Sequence, residues 1–439
     1  MNREILRIAI PNIISNITVP LMGIVSTAIA GRCGGDAATA IGQLAIGVSI
    51  FNFIYWNCSF VRMGTSGITA QAYGAGDNAE TTRMLYRALG VAVVLGVVVL
   101  ILRNSLADGA VSLMGGGEMS LEYVRARIWA VPAGILLFGF HGWYTGMQNA
   151  TIPMVTALLV NAIHIAASLY LVFNHDMGIV GIAYASVIAQ WSGVVVATLL
   201  LLFFYRDKIV RVRVSDVFNR EAMSRFFGVN RDIIIRTFCI VCVYTFFTAV
   251  SARMENPTLL AVNVLLLQLF TLFSYMTDGF AYAAEALTGR YIGAKDGASL
   301  KRAINRCMVW SLIVSVIYVG VYLVGWRDLL SIFVEDKANS EAIISLAGDY
   351  IGWIIVIPLA GAFPFLMDGV MVGASFTNVM RNSMMVASAM FFVIYFAFSP
   401  FIGNNALWLA FTLYMSLRGV VQYFMTHRLR DIYTCVEKK

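Results

Sequence analysis

Apolar runs of about twenty residues, broken by short polar clusters, recur twelve times along the chain. They cover approximately residues 9–31, 40–62, 88–103, 123–146, 154–174, 179–204, 232–252, 259–288, 307–326, 343–372, 385–403 and 406–426. About twenty helical residues span the hydrocarbon core of a bilayer, so the pattern predicts twelve transmembrane helices. The third run is short, and residues 63–72 extend the second beyond the bilayer. A β-barrel would instead alternate apolar and polar positions over segments of about 10 residues, and only helices or closed barrels satisfy the backbone inside lipid. The fold class is therefore an all-α polytopic membrane protein.

Composition agrees. Of 439 residues, 59% are hydrophobic and 13% charged, with a mean hydropathy of +0.78. Soluble domains carry about 25% charged residues, so an ordinary cytosolic enzyme and a disordered chain are both excluded. With the N-terminus placed in the cytoplasm, 21 Lys and Arg fall on that side and 7 on the other, with Arg62, Arg236 and Arg418 in or near the membrane segments. Basic loops stay inside, so both termini are expected to be cytoplasmic in a multi-pass plasma (bacterial inner) membrane protein. The net charge of +7 then serves topology and anionic headgroups, and nucleic acid need not be invoked. Cys33, Cys58, Cys239, Cys242, Cys307 and Cys435 mostly sit in or beside apolar runs and read as reduced thiols. Cys239-x-x-Cys242 lacks the βαβ context of a redox motif. Pro11 interrupts the first run, and no signal-peptide cleavage site is evident.

The chain repeats itself. Gly74-Ala75-Gly76-Asp77 aligns with Gly293-Ala294-Lys295-Asp296 at an offset of 219, which also pairs Thr69 with Thr288 and Arg87 with Arg306. An offset of 227 pairs Tyr123 with Tyr350, Gly142 with Gly369 and Gly146 with Gly373; one of 221 pairs Thr27 with Thr248 and Arg32 with Arg253. Six helices separate equivalents, so both halves run the same way. Such parallel repeats relate two transporter halves by an approximate two-fold axis along the membrane normal. The expected organisation is an N-terminal six-helix lobe (1–204), a basic cytoplasmic linker (205–231), a C-terminal six-helix lobe (232–426) and a cytoplasmic tail (427–439), with substrate held between the lobes. One chain with both halves makes a monomer sufficient.

Ionisable groups in apolar helices are costly and are functional candidates by default. Asp278 and Glu285, seven residues apart, share one face of the eighth segment; Asp368 lies in the tenth. Asn161, His164 and Ser168 form a polar stripe on the fifth, and Ser26 and Thr27 lie in the first. Each has a structural alternative. The Asp278/Glu285 face can bond Arg290 or neighbouring polar groups, and the hydroxyls can bond carbonyls of the preceding turn. The pairs Gly142-x-x-x-Gly146 and Gly369-x-x-x-Gly373 suit close helix contact. Four scattered histidines supply no metalloenzyme motif, no metal site is assigned, and there is no P-loop for ATP.

The stretch Asp278-Gly-Phe-Ala-Tyr-Ala-Ala-Glu285-Ala-Leu-Thr-Gly-Arg-Tyr-Ile-Gly-Ala-Lys-Asp296 resembles the eighth-helix signature of the DinF-type branch of the multidrug and toxic compound extrusion (MATE) family. Asn230-Arg-Asp-Ile-Ile-Ile-Arg236-Thr237, Asp368-Gly-Val-Met-Val-Gly-Ala374 and Pro20-Leu-Met-Gly-Ile-Val-Ser26-Thr27 resemble its seventh, tenth and first helices. The resemblance spans essentially the whole chain. It implies two six-helix bundles in a V shape that export organic cations or other amphipathic compounds against inward H⁺ or Na⁺ flow, without a further cofactor. A lipid or lipid-linked saccharide flippase of the same superfamily is the alternative; such a protein would expose a strongly cationic cavity. Pro11 matches a first-helix proline implicated in bending, and Ser186 falls at a sixth-helix hydroxyl position. The chain departs from the family where aspartates are usual: Ser26 replaces one in the first helix, and His164 and Ser168 replace an Asn and Asp in the fifth. Either His164, with an ordinary pKa near 6.5, titrates in that lobe, or coupling rests on Asp278, Glu285 and Asp368, or coupling is lost. The second reading is preferred, because a carboxylate binds either a proton or Na⁺.

Overall fold

The structure is a computed structural model that describes residues 1–33, 37–254, 256–331 and 337–425, the side chains of 337–340 excepted. Cys435, the tail 427–439 and the Lys337 side chain lie outside the described residues. No strand occurs among them. Twelve long helices follow the predicted runs: α1 (Asn2–Ala30), α2 (Ala37–Gly74), α3 (Asn78–Ile101), α4 (Glu118–Gly146), α5 (Thr151–Phe173), α6 (Gly178–Phe204), α7 (Arg220–Arg253), α8 (Pro257–Gly293), α9 (Gly297–Ser331), α10 (Ile351–Gly373), α11 (Thr377–Ile402) and α12 (Asn404–Met425). By length and apolarity eleven qualify as membrane spans. The twelfth is less apolar, because Asn404, Asn405, Arg418 and Gln422 lie in it.

Several helices outrun their apolar stretches. The second half of the 205–231 segment, expected as linker, forms the first turns of α7, and of the basic residues of 290–306 Arg290 rides on the end of α8 and Lys301, Arg302 and Arg306 on the start of α9. Hydropathy marks where lipid is, not where the backbone stops hydrogen bonding. Residues 343–347 of the tenth predicted run belong instead to a separate short helix, Lys337–Ala347. The five described cysteines are free thiols.

The chain forms two compact units, Ile10–Asn230 and Met1–Ala9 with Arg231–Lys439. The dividing points Ala9 and Asn230 are repeat-equivalent at the offset of 221, so the first turns of α1 and of α7 each group with the opposite unit. Each unit repeats the same internal packing: α2 on α4 and α5 on α6 in one, α8 on α10 and α11 on α12 in the other. The turns repeat too. Asp77 caps α3 by accepting from the Glu80 N–H at 2.8 Å, and Asp296 caps α9 by accepting from the Ser299 N–H at 2.9 Å. Left-handed backbone precedes each cap, at Gly76 (φ 72°) and Lys295 (φ 55°). Gln148 (φ 63°) and Ser375 (φ 60°) are likewise equivalent at the offset of 227.

The two glycine pairs make the close contacts expected of them. A Cβ on Gly142 would overlap the Arg62 carbonyl oxygen, and one on Gly369 would overlap that of Ala281. Arg62 and Ala281 are themselves repeat-equivalent, as are Ser66 and Glu285, which face Gly146 and Gly373. This contact sets how deeply α4 seats on α2 and α10 on α8.

Candidate functional site

The C-terminal unit gathers charge around Asp368. α10 carries this residue into the interior just before Gly369, where the backbone approach to α8 is closest. Its carboxylate is buried and accepts from Arg236 of α7 at 2.5 Å, from Arg418 of α12, and from Gln422 of α12 at 2.6 Å. Arg418 also lies over the Phe365 ring at 5.2 Å. Two guanidiniums on one carboxylate leave the knot with an excess positive charge, so Asp368 is an anion fixed between cations. Glu285, on α8, is buried to 1% exposure, and Asp278, two turns earlier, is half-buried. Asp278 is near enough to Arg236, Tyr244 and Tyr275 to act on them electrostatically. Arg290, one possible structural partner of this face, instead pairs with Glu4 at 3.2 Å.

A second, part-buried ion pair ties α7 to α11. Asp232 accepts from Arg381 at 2.6 Å and from Thr377 Oγ1 at 3.1 Å, both on α11. Sequence reasoning passed over it, since Asp232 sits at the edge of its apolar run among other polar residues. It also passed over a closed network in which Asn263 donates to Ser251 (2.9 Å) and Asn404 (2.8 Å) and accepts from Asn404 (3.1 Å) and Trp408 (2.9 Å). These partners are satisfied and buried, so the network joins α7, α8 and α12 structurally.

In the N-terminal unit, α5 presents Thr156, Val160, His164, Ser168 and Val172 to the interior at spacings of four. His164 Nε2 lies 3.0 Å from Ser186 Oγ of α6, which donates to the Ile182 carbonyl at 3.1 Å. His164 Nδ1 and Ser168 Oγ are buried without partners, so the carbonyl bonding considered for Ser168 is absent. Asn161 is half-buried one turn before His164; Ser26 is buried on α1, and Thr27 points outward. Pro11 and Pro20 both lie inside a continuous α1. Arg127, assigned by charge counting to the outer side, turns inward. Its Nη1 donates to Tyr123 Oη at 2.6 Å and its guanidinium lies over the Phe51 ring at 4.7 Å. Charge counting could not reveal this, because it depends on the aromatic surface α2 offers. Thus the structure joins Asp368 with Arg236, Arg418 and Gln422, and His164 with Ser186. Among the described residues no His, Cys, Asp and Glu cluster would hold a metal.

The MatE family profile matches the chain twice, over residues 11–169 and 233–401. The chain belongs to the MatE family. The double match, one per repeat, agrees with the internal offsets. Over 428 residues the chain is 34% identical to DNA damage-inducible protein F of Escherichia coli (strain K12), covering 95% of this chain and 90% of the relative. It is 22% identical to Protein DETOXIFICATION 44, chloroplastic, of Arabidopsis thaliana, across 95% and 80%. Among solved structures it resembles a MATE protein in the bent conformation, with a TM-score of 0.85 at 18% identity over 100% of this chain and 96% of that one. It is also similar, with a TM-score of 0.84, 18% identity and 99% and 96% coverage, to a multidrug resistance MATE family transporter in an outward-facing conformation. The MatE fold of twelve helices in two lobes is thereby shared.

Proposed function

We propose that this MatE protein is a secondary active exporter that moves organic cations or amphipathic drugs out of the cell in exchange for H⁺ or Na⁺ by alternating access. The observation that carries the reading is the burial of Glu285, with Asp278 half-buried two turns earlier on the same apolar helix. Burial makes an ionised carboxylate expensive, so binding a proton or Na⁺ at Asp278 or Glu285 changes the cost of the surrounding packing. An ion that stabilises one access state more than the other shifts the balance between them. Asp368 serves chiefly as the fixed centre of the arginine knot. Pro11 interrupts the α1 hydrogen-bond ladder and gives that helix a place to bend. Family membership and the detoxification name of the Arabidopsis relative support export over lipid flipping. The protein sits in the bacterial inner membrane with both termini cytoplasmic, and one chain suffices.

Reconstitution in liposomes with proton and sodium gradients imposed separately, following efflux of a fluorescent cation, tests the reading. Efflux driven by one of the gradients is expected; efflux indifferent to both contradicts it.

A further inference from the structure

We propose that the N-terminal unit holds an anion-binding site, built on Arg127, Tyr55 and His164, for the carboxylate, sulfonate or phosphate head of an amphipathic substrate. The inference rests on the export reading for the word substrate, and on geometry for the site.

Arg127 is held rather than free to swing. Gly47, Phe51 and Tyr55 form a stripe on α2 at spacings of four. The missing side chain of Gly47 admits the Tyr123 ring, since a Cβ there would overlap it, and Gly134 of α4 admits the Tyr55 ring in the same way. Phe51 meets Tyr123 edge-on at 6.3 Å, and Tyr55 meets Phe138 at 6.1 Å. On this aromatic bed the guanidinium spends one of its five donors on Tyr123 and gains cation–π contact with Phe51. Its Nε is shut from solvent and has no partner. Arg125, two residues away, behaves differently: it faces outward and pairs with Asp108 at 2.8 Å.

No carboxylate balances this cation. Among the described residues Arg127 makes no ion pair, and the acids nearest to it along α4, Glu118 and Glu122, are exposed. Arg127 is also the charge that bears on the His164 ring and on Tyr55. Of the groups its charge reaches, Tyr55 Oη and His164 Nδ1 are buried without partners; His164 is only 8% exposed. A buried donor left unpaired costs free energy, and a charged one costs more. An incoming anion offers acceptors to these unpaired donors and to the Arg127 Nε together.

The test uses the full chain in phosphatidylcholine nanodiscs and two probes sharing one fluorophore, anionic dansylglycine and cationic dansylcadaverine. Arg127→Gln is expected to weaken dansylglycine binding about tenfold or more and to leave dansylcadaverine within about twofold. Unchanged dansylglycine binding, or equal loss for both dyes, overturns the proposal. Wild-type protein gives a test independent of the variant's folding: octanesulfonate is expected to displace dansylglycine and octyltrimethylammonium not to, and equal displacement overturns it. Discs containing phosphatidylglycerol separate the sources of the anion. Weaker dye binding there identifies a lipid headgroup as occupant, unchanged binding a soluble amphiphile; both retain the anion. Since binding needs no gradient, the export reading stands or falls separately, on gradient-driven movement.

Discussion

Asp368 shows how a residue flagged by hydropathy acquires its meaning from partners far away in the chain. An acid in an apolar run is visible in sequence, but Arg236 and Arg418 lie 132 and 50 residues away, and no periodicity links them to it. Asp368→Asn would remove the shared anion and leave two buried guanidiniums facing each other. Breaking a buried pair by deleting one partner costs about 3–5 kcal/mol, so thermal unfolding in detergent is expected to show a large loss of stability. A variant that melts like wild type would mean that the knot contributes nothing. His164 and Ser168 were legible as an interior stripe for the same reason as Asp368. The inward turn of Arg127 was not, because the chain offers the same residue type to solvent at Arg125.

At the scale of elements, helix contacts were more legible than helix ends. The Gly-x-x-x-Gly pairs announced close packing, and both glycines of each pair face backbone or Cβ atoms of the neighbouring helix. Gly369→Ala would press a methyl on the Ala281 carbonyl, which cannot rotate away, at a cost of about 1–3 kcal/mol. Gly352→Ala on the same helix meets nothing within 4 Å and is expected to be neutral or stabilising by up to about 1 kcal/mol. Paired melting curves decide this; equal effects would refute the packing argument. Helix ends were misplaced because caps, not hydropathy, set them. Hydrogen bonds from the Ser299 side chain and backbone hold the Asp296 carboxyl below its ordinary pKa of 3.8. Its folded value is therefore lower than its unfolded one. The cap is fully stabilising above that ordinary value and is lost as pH falls through the folded pKa. Asp296→Ala is expected to cost about 1 kcal/mol near neutrality, and less in strong acid; a pH-independent cost in melting experiments would show that the carboxylate is not the cap.

For the whole molecule, the repeat was the most informative feature of the sequence. Its offsets reappear as paired caps, paired left-handed turns, paired glycine contacts and a family match in each half. What the repeat does not carry is charge. Equivalent positions pair Ser66 with Glu285 and Arg62 with Ala281, so the duplicated scaffold holds unlike interiors: carboxylates with paired arginines in one unit, histidine with an uncompensated arginine in the other. The proposed ion coupling in the C-terminal unit would divide labour between the two. The most direct measurement is substrate-driven ion exchange in proteoliposomes by Asp278→Asn and Glu285→Gln beside the wild type. Exchange is expected to vanish in at least one variant while membrane insertion and dye binding persist; wild-type exchange in both would contradict the account.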